Sequence, residues 1–578
     1  MTDKKPLIIL GINYGGHDSA ACLVVDGKIV AACEQERYDK QKHSRAFPSE
    51  AIADCLKIGK ITLSDVDEIA VGYDPILLIR ETYLKSAMED EARLGFLIRD
   101  IERIKQSYAL KEEIREKTGF NGAISYYVHH LCHLASAYYV SGFESALLVS
   151  HDGMGEVDCS LIGEGKDGEI SVLHPGNRYP YSLGLLYSAI THYLGWKHHC
   201  DEGIIMGLAP YGDDTKLVPG SDKTYRQIFE EIISETGDFS YAIDTSWIAY
   251  HEVRDKWISD KFTALFGVRR EHADPLTDHH KHIAAALQNR LESIVLNQLK
   301  KAKDQFGHKK LCLAGGVALN CSLNGAIMRS GLFDEIFVQP ASGDAGTAIG
   351  AALLGYKKLS GVLRPIRDNN AYLGASFSND EIEQALKKLG ANYSKAENIY
   401  EETARALNSK KIVGWFQGAA EFGPRALGDR SILTAPYPAD MKDYVNARVK
   451  FREEFRPFAP AVLAEHAQEY FEIDQESPHM LIAAKVKDDK VSEIPAVIHV
   501  DQSARVQTVK EENNPRFRKL LEAFYKLSGC PVLLNTSFNV KGQPIVNSPE
   551  DAVKSFLSTN IDVLAIGDFL ATKEAVNK

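Results

Sequence analysis

Short apolar runs separated by polar, glycine-bearing turns open the chain. Residues 7–12, 20–25 and 28–33 each read as a strand, and Asp26-Gly27 between the last two is a tight hairpin signal. Residues 69–72 predict another strand. The period then changes: residues 81–117 are charge-rich with helical spacing and predict an inserted amphipathic hairpin. His129-His130-Leu131-Cys132-His133 follows and runs on to Tyr139 without Gly or Pro, which predicts a helix. Residues four apart share a helix face, so His129 and His133 point the same way and His130 points elsewhere. Two imidazoles on one face are either half of a metal site or two core histidines with ordinary partners.

Further along, apolar strands keep ending in small polar loops. Residues 146–150 deliver His151-Asp152-Gly153-Met154-Gly155, residues 310–314 deliver Gly315-Gly316 up to Asn320, and residues 336–338 lead to Ser342-Gly343-Asp344. The first strand ends in Asn13-Tyr14-Gly15-Gly16-His17-Asp18-Ser19. A plain turn explains any one of these. Glycine at a strand end also lets backbone N–H groups approach a ligand, and an adjacent Asp can hold a cation. Four such loops in succession, with a three-strand hairpin at the start, resemble the nucleotide-binding fold of actin, hexokinase and the heat-shock chaperones. Other polar runs read more simply. Glu34 to Arg45 is a charged face, Lys197-His198-His199-Cys200 is loop polarity, 203–212 is a glycine-punctuated loop, and His279, His280 and His282 are a solvated start to a helix over 283–303.

Near Arg364-Pro365 and Asp368-Asn369-Asn370 the composition shifts, which divides the chain into domains 1–365 and 366–578. The second begins with helices over 380–389 and 399–409 and a strand over 412–416. It concentrates Arg425, Arg430, Lys450, Arg456 and Arg505 beside small or apolar residues, with Asn535 and Ser537 at a strand end. Surface arginines are common, yet the whole chain has net charge −12, from 67 basic and 79 acidic residues. A cationic cluster against that background points to a polyanionic ligand such as a nucleotide or phosphate. The same acidity disfavours a broad grip on nucleic acid. The nine cysteines are odd in number and scattered with no C-x-x-C, as free thiols in a reducing cytosol would be. Met1-Thr2-Asp3-Lys4-Lys5 leads at once into the first strand, too short for a signal peptide, and no apolar run is long enough to cross a bilayer. A cytoplasmic, multidomain α/β protein without membrane attachment is expected.

Ten segments in order, GINYGGHDSA, EQERYDKQKHS, VHHLCHLASAYY, SHDGMGE, MGLAPYG, AGGVALNCSLNG, PASGDAGTAIGAA, FGPRALGDRSIL, FREEFRPFAP and LLNTSFN, resemble the carbamoyltransferases typified by nodulation and antibiotic O-carbamoylation enzymes. The resemblance covers nearly the whole chain outside 79–120. It implies an N-terminal actin-like two-lobed domain and a C-terminal YrdC-like α/β domain, similar to the fold that makes threonylcarbamoyl-adenylate. The C-terminal domain would join carbamoyl phosphate and ATP, with Mg2+, into carbamoyl-adenylate, using Lys450, Arg456 and Arg505 on phosphates and Arg425, Asn535 and Ser537 on ATP. The N-terminal domain would transfer the carbamoyl group to a hydroxyl of a small metabolite and release AMP. Its metal ligands would be His129, His133, Asp152 and Asp344, holding Fe2+ in most of the family, though the donors also suit Mn2+ or Zn2+. Gly153, Gly315, Gly316, Asn320 and Gly343 would contact the adenylate, with His17 as proton acceptor and Lys42 near the transferred group. His130 keeps an outer or acceptor-facing role. A homodimer would be unsurprising. One departure stands out: relatives often carry Lys before MGLAPYG, where this chain has Ile204-Ile205. The competing readings are an actin-like-fold small-molecule kinase, a tRNA threonylcarbamoyl-pathway protein, and a nucleotide-gated chaperone-like module.

Overall fold

The structure is a computed structural model that describes residues 5–89 and 91–573. Met1 to Lys4 of the leading segment and Asp90 of the expected helical hairpin lie outside the described residues. The chain forms two compact units. The first comprises Met1–Val30 and Arg45–Asp368, and the second Ala31–Ser44 and Asn369–Lys578. The main division thus falls three residues beyond the one expected. A short N-terminal segment, however, belongs to the second unit, which a linear reading of the chain does not anticipate.

The first unit holds two sheets of one design. β1 (Ile8–Asn13), β2 (Ala20–Val25) and the start of β3 (Lys28–Glu34) make an antiparallel meander, with β4 (Glu68–Val71) and β5 (Ala123–Tyr126) added in parallel, in the order β3-β2-β1-β4-β5. β6 (Ser145–His151), β7 (Ser160–Lys166) and β8 (Glu169–His174) repeat the meander. After a small ribbon of β9 (Ile233–Glu235) and β10 (Tyr241–Ile243), β11 (Lys310–Ala314) and β12 (Glu335–Val338) repeat the parallel addition, giving β12-β11-β6-β7-β8. Two copies of one connectivity are the plan of the actin-like fold. Asp26 and Gly27 both take positive φ, 48° and 78°, as a two-residue hairpin turn requires.

Glycine brings the layers together at two places that matter for the site. A Cβ on Gly11 of β1 would collide with the Ala348 carbonyl, and one on Gly350 with the Cys132 carbonyl. Helix Thr347–Ser360 therefore lies directly on β1 and on the histidine helix, His129–Ser141, of which every residue but Leu131 is buried. Two expectations change here. Residues 81–117 are helical, described as Leu78–Lys85, Ser86–Glu89, Glu91–Arg99, Ile101–Tyr108 and Leu110–Thr118, with breaks near Asp100 and Ala109 where two helices of a hairpin were expected. The expected loop at 203–212 is helix Glu202–Leu208 plus a 3-10 turn. Its Ile204, Ile205 and Leu208 are buried, and that burial outweighs the low helix propensity of its glycines.

The second unit is built on one mixed sheet of nine strands: β13 (Tyr393–Lys395), β14 (Val413–Phe416), β15 (Arg430–Thr434), β16 (Ala459–Leu463), β17 (Ile482–Lys485), β18 (Ser503–Val509), β19 (Val532–Ser537), β20 (Val563–Ile566) and β21 (Phe569–Thr572). Their order is β13-β21-β20-β14-β15-β19-β16-β18-β17. Segment Ala31–Ser44 is stitched to it by hydrogen bonds. Ala32 donates its N–H to Leu373 (3.0 Å), Arg37 donates to the Gly423 carbonyl (2.6 Å), and Lys40 donates to Asp551 (2.5 Å). The run expected to be a solvated charged face is therefore partly interior. Arg37 is buried and bonded to Glu34 at 2.7 Å, because a buried guanidinium needs a carboxylate and carbonyls as partners.

Candidate functional site

In the first unit His129, His133, Asp152 and Asp344 converge, with one donor atom from each lying within 4.8 Å of the others, and all four are buried. The histidine helix supplies two. Asp152 follows β6, and Asp344 opens the 3-10 turn Asp344–Gly346. His129 Nε2 lies 3.0 Å from His133 Nε2, 3.3 Å from Asp152 Oδ2 and 3.5 Å from Asp344 Oδ1. His133 Nε2 lies 3.7 and 3.8 Å from the same two carboxylate oxygens.

The surroundings orient these donors. The Gly72 carbonyl lies 3.3 Å from His129 Nδ1, so a proton there has an acceptor and Nε2 would be the nitrogen offered to a metal ion. The N–H of Gly316 donates to Asp152 Oδ1 at 2.7 Å, and a Cβ at Gly316 would press on that same oxygen, so a glycine suits the position. Glu156, buried and not anticipated as functional, accepts from the N–H groups of His129 (3.1 Å) and Asp74 (2.7 Å). Burial alone would lower the His129 pKa, but Asp344 and Asp152 hold it well above the usual histidine range; burial would raise Asp152, but His129 and His133 hold it well below the carboxylate range. Two buried carboxylates with two imidazoles leave a charge deficit that a divalent cation fills, and N and O donors of this kind suit iron, manganese or zinc. The four residues fit a metal ion.

His17 stands at the edge of this cluster. Its Nε2 is 3.6 Å from Asp344 and its Nδ1 is 2.9 Å from Asp18, while Asn13 donates to the carbonyls of His17 and Asp18 at 2.8 and 2.9 Å and pins the loop. Burial opposes protonation, but Asp344, Asp18 and Asp152 outweigh it and raise the His17 pKa to about 9. A cation shared by Asp152 and Asp344 would cancel most of that field. His130 is turned away: its ring nitrogens meet Ser150 Oγ at 2.7 Å and the Asp158 carbonyl at 2.9 Å.

The other expected contacts of this unit divide. Gly343 and Gly153 have open space or ordinary contact where a Cβ would sit, whereas Gly315, at φ 86°, would collide with the His151 carbonyl and is needed by the fold itself. Asn320 caps helix Cys321–Arg329 by accepting from Leu323 at 3.0 Å and exchanges two hydrogen bonds with Gln288. His279 meets Tyr225 and the Phe266 carbonyl, His280 caps its helix through Thr277, and His282 accepts from Asp213; the three are tied into the fold rather than solvated.

The second unit gathers cations. Lys450 is buried and donates to Ser537 Oγ (3.3 Å), Asn539 Oδ1 (2.9 Å) and the Ser537 and Asn539 carbonyls. Burial, then Arg452, Arg456 and Lys42, hold its pKa well below the usual lysine range. Burial, then Arg456 and Arg505, do the same to Arg452, with Glu453 offsetting part. Arg456 lies 3.5 Å from Glu453, and Arg425 and Arg505 are half-buried. Asn535 donates to Gln507 (2.9 Å), and its Oδ1 is buried without a hydrogen-bond partner among the described residues. The structure adds to one reading and corrects another. Lys42, which the resemblance puts near the transferred group, lies in the segment that packs with the second unit, and Lys450 feels its charge. Arg430, grouped with the ligand arginines by sequence, is fully buried, stacked on Phe416 and bonded to backbone carbonyls including those of Asp429 and Ala375. Arg452 was passed over although it sits between Lys450 and Arg456 in a singled-out segment.

Comparison with known proteins identifies the family. Residues 8–353 match the family model for the carbamoyltransferase N-terminus, and residues 404–573 that for the carbamoyltransferase C-terminus. The chain is 39% identical to the uncharacterized protein sll1178 of Synechocystis sp. over 98% of this chain and 97% of that one. It is 38% identical to the nodulation protein NolNO of Sinorhizobium fredii over 97% of this chain and 80% of that one, and 40% identical to the nodulation protein NolO of Bradyrhizobium diazoefficiens over 77% and 78%. No helix of the described residues is long and apolar enough to cross a membrane. The chain belongs to the carbamoyltransferase family and is a carbamoyltransferase.

Proposed function

We propose that this carbamoyltransferase is ATP-dependent and works in two steps, the second unit making carbamoyl-adenylate and the first transferring its carbamoyl group to a hydroxyl of a small metabolite. The observation that carries the reading is a pair of buried clusters with opposite charge deficits in one chain: carboxylates and imidazoles in the first unit, ammonium and guanidinium groups in the second.

In the second unit Lys450, Arg452, Arg456, Arg505 and Lys42 bind the phosphates of ATP and carbamoyl phosphate, with Mg2+ accompanying the nucleotide. Water first splits carbamoyl phosphate into carbamate and phosphate; a carbamate oxygen then bonds the α-phosphorus of ATP as the bond to the β-phosphate breaks, so carbamoyl-adenylate forms and pyrophosphate leaves. The buried acceptor Asn535 Oδ1, two residues from Ser537 on one strand face, suits an N–H donor of the ligand. Arg425 completes the contacts to ATP.

In the first unit His129, His133, Asp152 and Asp344 hold a divalent metal, iron by family resemblance. The bound ion supplies Lewis acidity that offsets charge on the adenylate phosphate. His17 accepts the acceptor's hydroxyl proton on a ring nitrogen as the hydroxyl oxygen bonds the carbamoyl carbon. The bond from that carbon to the AMP phosphate oxygen breaks, and Asp18 holds the imidazole through Nδ1. Gly153, Gly316 and Gly343 leave room for the nucleotide, and closure against water protects a labile intermediate.

Incubation with carbamoyl phosphate, ATP and a hydroxylated acceptor should give AMP, pyrophosphate and a carbamate. ADP with a phosphorylated acceptor would overturn the reading in favour of a kinase. Transfer of a carbamoyl-type group to tRNA instead would move the protein to the tRNA-modifying class.

A further inference from the structure

Side chains two apart on a strand share a face, so Arg505 and Gln507 lie on one side of β18, and Asn535 and Ser537 on one side of β19. β16 runs between these strands, and its residues opposite Gln507 and Asn535 are Ala461 and Ala459. Side chains that short let two long amides meet over the middle strand. Asn535 Nδ2 donates to Gln507 Oε1 at 2.9 Å, and both residues are buried.

The polarity of that contact is forced from its far end. Gln507 Nε2 donates to the Leu427 carbonyl at 2.6 Å, and a carbonyl only accepts. Gln507 therefore turns its oxygen to Asn535, and Asn535 answers with its NH2, which also reaches the Ala426 carbonyl at 3.3 Å. The end left over is Asn535 Oδ1, buried with no hydrogen-bond partner among the described residues. The loop bearing both carbonyls is itself held. Glu421 Oε1 accepts the N–H groups of Leu427, Asp429 and Arg430 at 2.8, 2.9 and 3.1 Å, and Tyr372 donates its hydroxyl to the Leu427 carbonyl at 2.9 Å. A flipped Asn535 would set its oxygen against those of Gln507 and Ala426 and lose both bonds.

We infer that Gln507 is a positioning residue that fixes Asn535 as a hydrogen-bond acceptor, so that the adenylate-forming site takes an acyl phosphate bearing an N–H and turns away one with a methyl group in its place. The inference rests on the second unit using carbamoyl phosphate. It goes further by naming what reads the nitrogen. A cation cluster grips a phosphate whatever acyl group it carries, so Lys450 and its neighbours would hold acetyl phosphate as readily. A buried acceptor without a partner is satisfied by the carbamoyl NH2 and stranded by a methyl group. The adenine amine of ATP is the other N–H at hand, and placement favours the carbamoyl group. Ser537, about 7 Å along the same strand face, receives Lys450, so Asn535 stands beside the phosphate-binding cations. The carbamoyl nitrogen adjoins its phosphate, whereas the adenine amine lies beyond a ribose.

The test is calorimetry on the full-length protein with α,β-methylene-ATP, which cannot release pyrophosphate. Carbamoyl phosphate should bind about 10- to 100-fold more tightly than acetyl phosphate, the cost of stranding a buried acceptor. Gln507→Met keeps the volume but cannot accept, and should shrink that ratio about tenfold, chiefly by weakening carbamoyl phosphate. Gln507→Glu still accepts from Asn535 and should keep the ratio, whatever it does to the thermal unfolding midpoint. Asn535→Leu should abolish the ratio, and adding Gln507→Met to it should change nothing more, because Gln507 acts through Asn535. Equal affinity of the unaltered protein for the two acyl phosphates overturns the inference. So does an unchanged ratio in Gln507→Met, a lost ratio in folded Gln507→Glu, or additive losses in the double variant. If Gln507→Met instead alters the choice between ATP and inosine triphosphate, the nitrogen read is adenine's and the carbamoyl assignment falls. No pyrophosphate from ATP and carbamoyl phosphate, with the binding ratio and its loss in Gln507→Met both observed, would sink the two-step reading alone.

Discussion

In the first unit four donors reach one point from a helix, a strand end and a 3-10 turn, and their buried charge is negative; in the second, a lysine and several arginines crowd together, and their buried charge is positive. Each cluster is offset only at a cost, by raised protonation of His129 and His17 beside the carboxylates of the first and by a depressed Lys450 pKa in the second, and a ligand of opposite charge relieves it. The first cluster has rigid, oriented lone pairs and suits a small cation. The second has long side chains with many N–H donors and suits spread-out phosphate oxygens. The difference teaches that two kinds of burial can mark two half-reactions in one polypeptide.

The sharpest way to break the comparison is to remove a first-unit donor. His133→Ala or Asp344→Ala should lose the bound metal by elemental analysis and slow transfer from supplied carbamoyl-adenylate more than about 100-fold, beyond the loss typical of an outer partner. Formation of carbamoyl-adenylate from ATP should be unchanged. Chelation should copy this pattern. If adenylate formation falls equally, the two sites do not divide the chemistry.

The mirror experiment is Lys450→Ala or Arg505→Ala. Each should cut pyrophosphate release by about 10- to 100-fold, as loss of a charged hydrogen bond does, while metal content and use of supplied adenylate stay normal. Lys42→Ala belongs with this class and should behave the same way; a selective defect in transfer would return Lys42 to the first site.

Smaller effects refine the picture. Glu156→Gln weakens the acceptor that holds the His129 N–H, so metal affinity should drop about tenfold, measured by competition with a chelating dye. In the second unit, burial and the nearby Glu421 push Asp429 up to about 8. A carboxyl with a raised folded-state pKa binds more protons folded than unfolded between about pH 4 and 8, so its contribution to stability declines as pH rises through that window. Asp429→Asn keeps an oxygen for the bond from Asn514 and should flatten that decline in thermal unfolding curves. An unchanged slope would mean that Asp429 is ionised in the fold.

Much of this was legible because chemistry and local geometry coincide. His129 and His133 are one helical turn apart, so their shared face needed no tertiary information. The alternation of apolar strands with glycine-bearing loops marked β1, β6, β11 and β12, and Asp152 and Asp344 stood out as acids beside glycines at strand ends. Burial was less legible. Arg37 and Arg430 look like ordinary charges in sequence, and only the carbonyls and carboxylates brought round them explain their presence in the interior. Gly203 and Gly207 signalled a loop until the buried Ile204, Ile205 and Leu208 decided for a helix. His199 read as loop polarity, because nothing in its local spacing shows that its ring lies 6.1 Å from that of His17, far off in the chain.

By itself, then, the sequence determined the elements, the donor types and the family, since each depends on spacing within a turn, a strand or a motif. Tertiary structure decided which distant groups share a charge field. It took Ala31–Ser44, with Lys42, out of the first unit and into the second, and it set His199 beside His17. Electrostatics and packing act through space over a few ångströms, and chain separation says nothing about that distance.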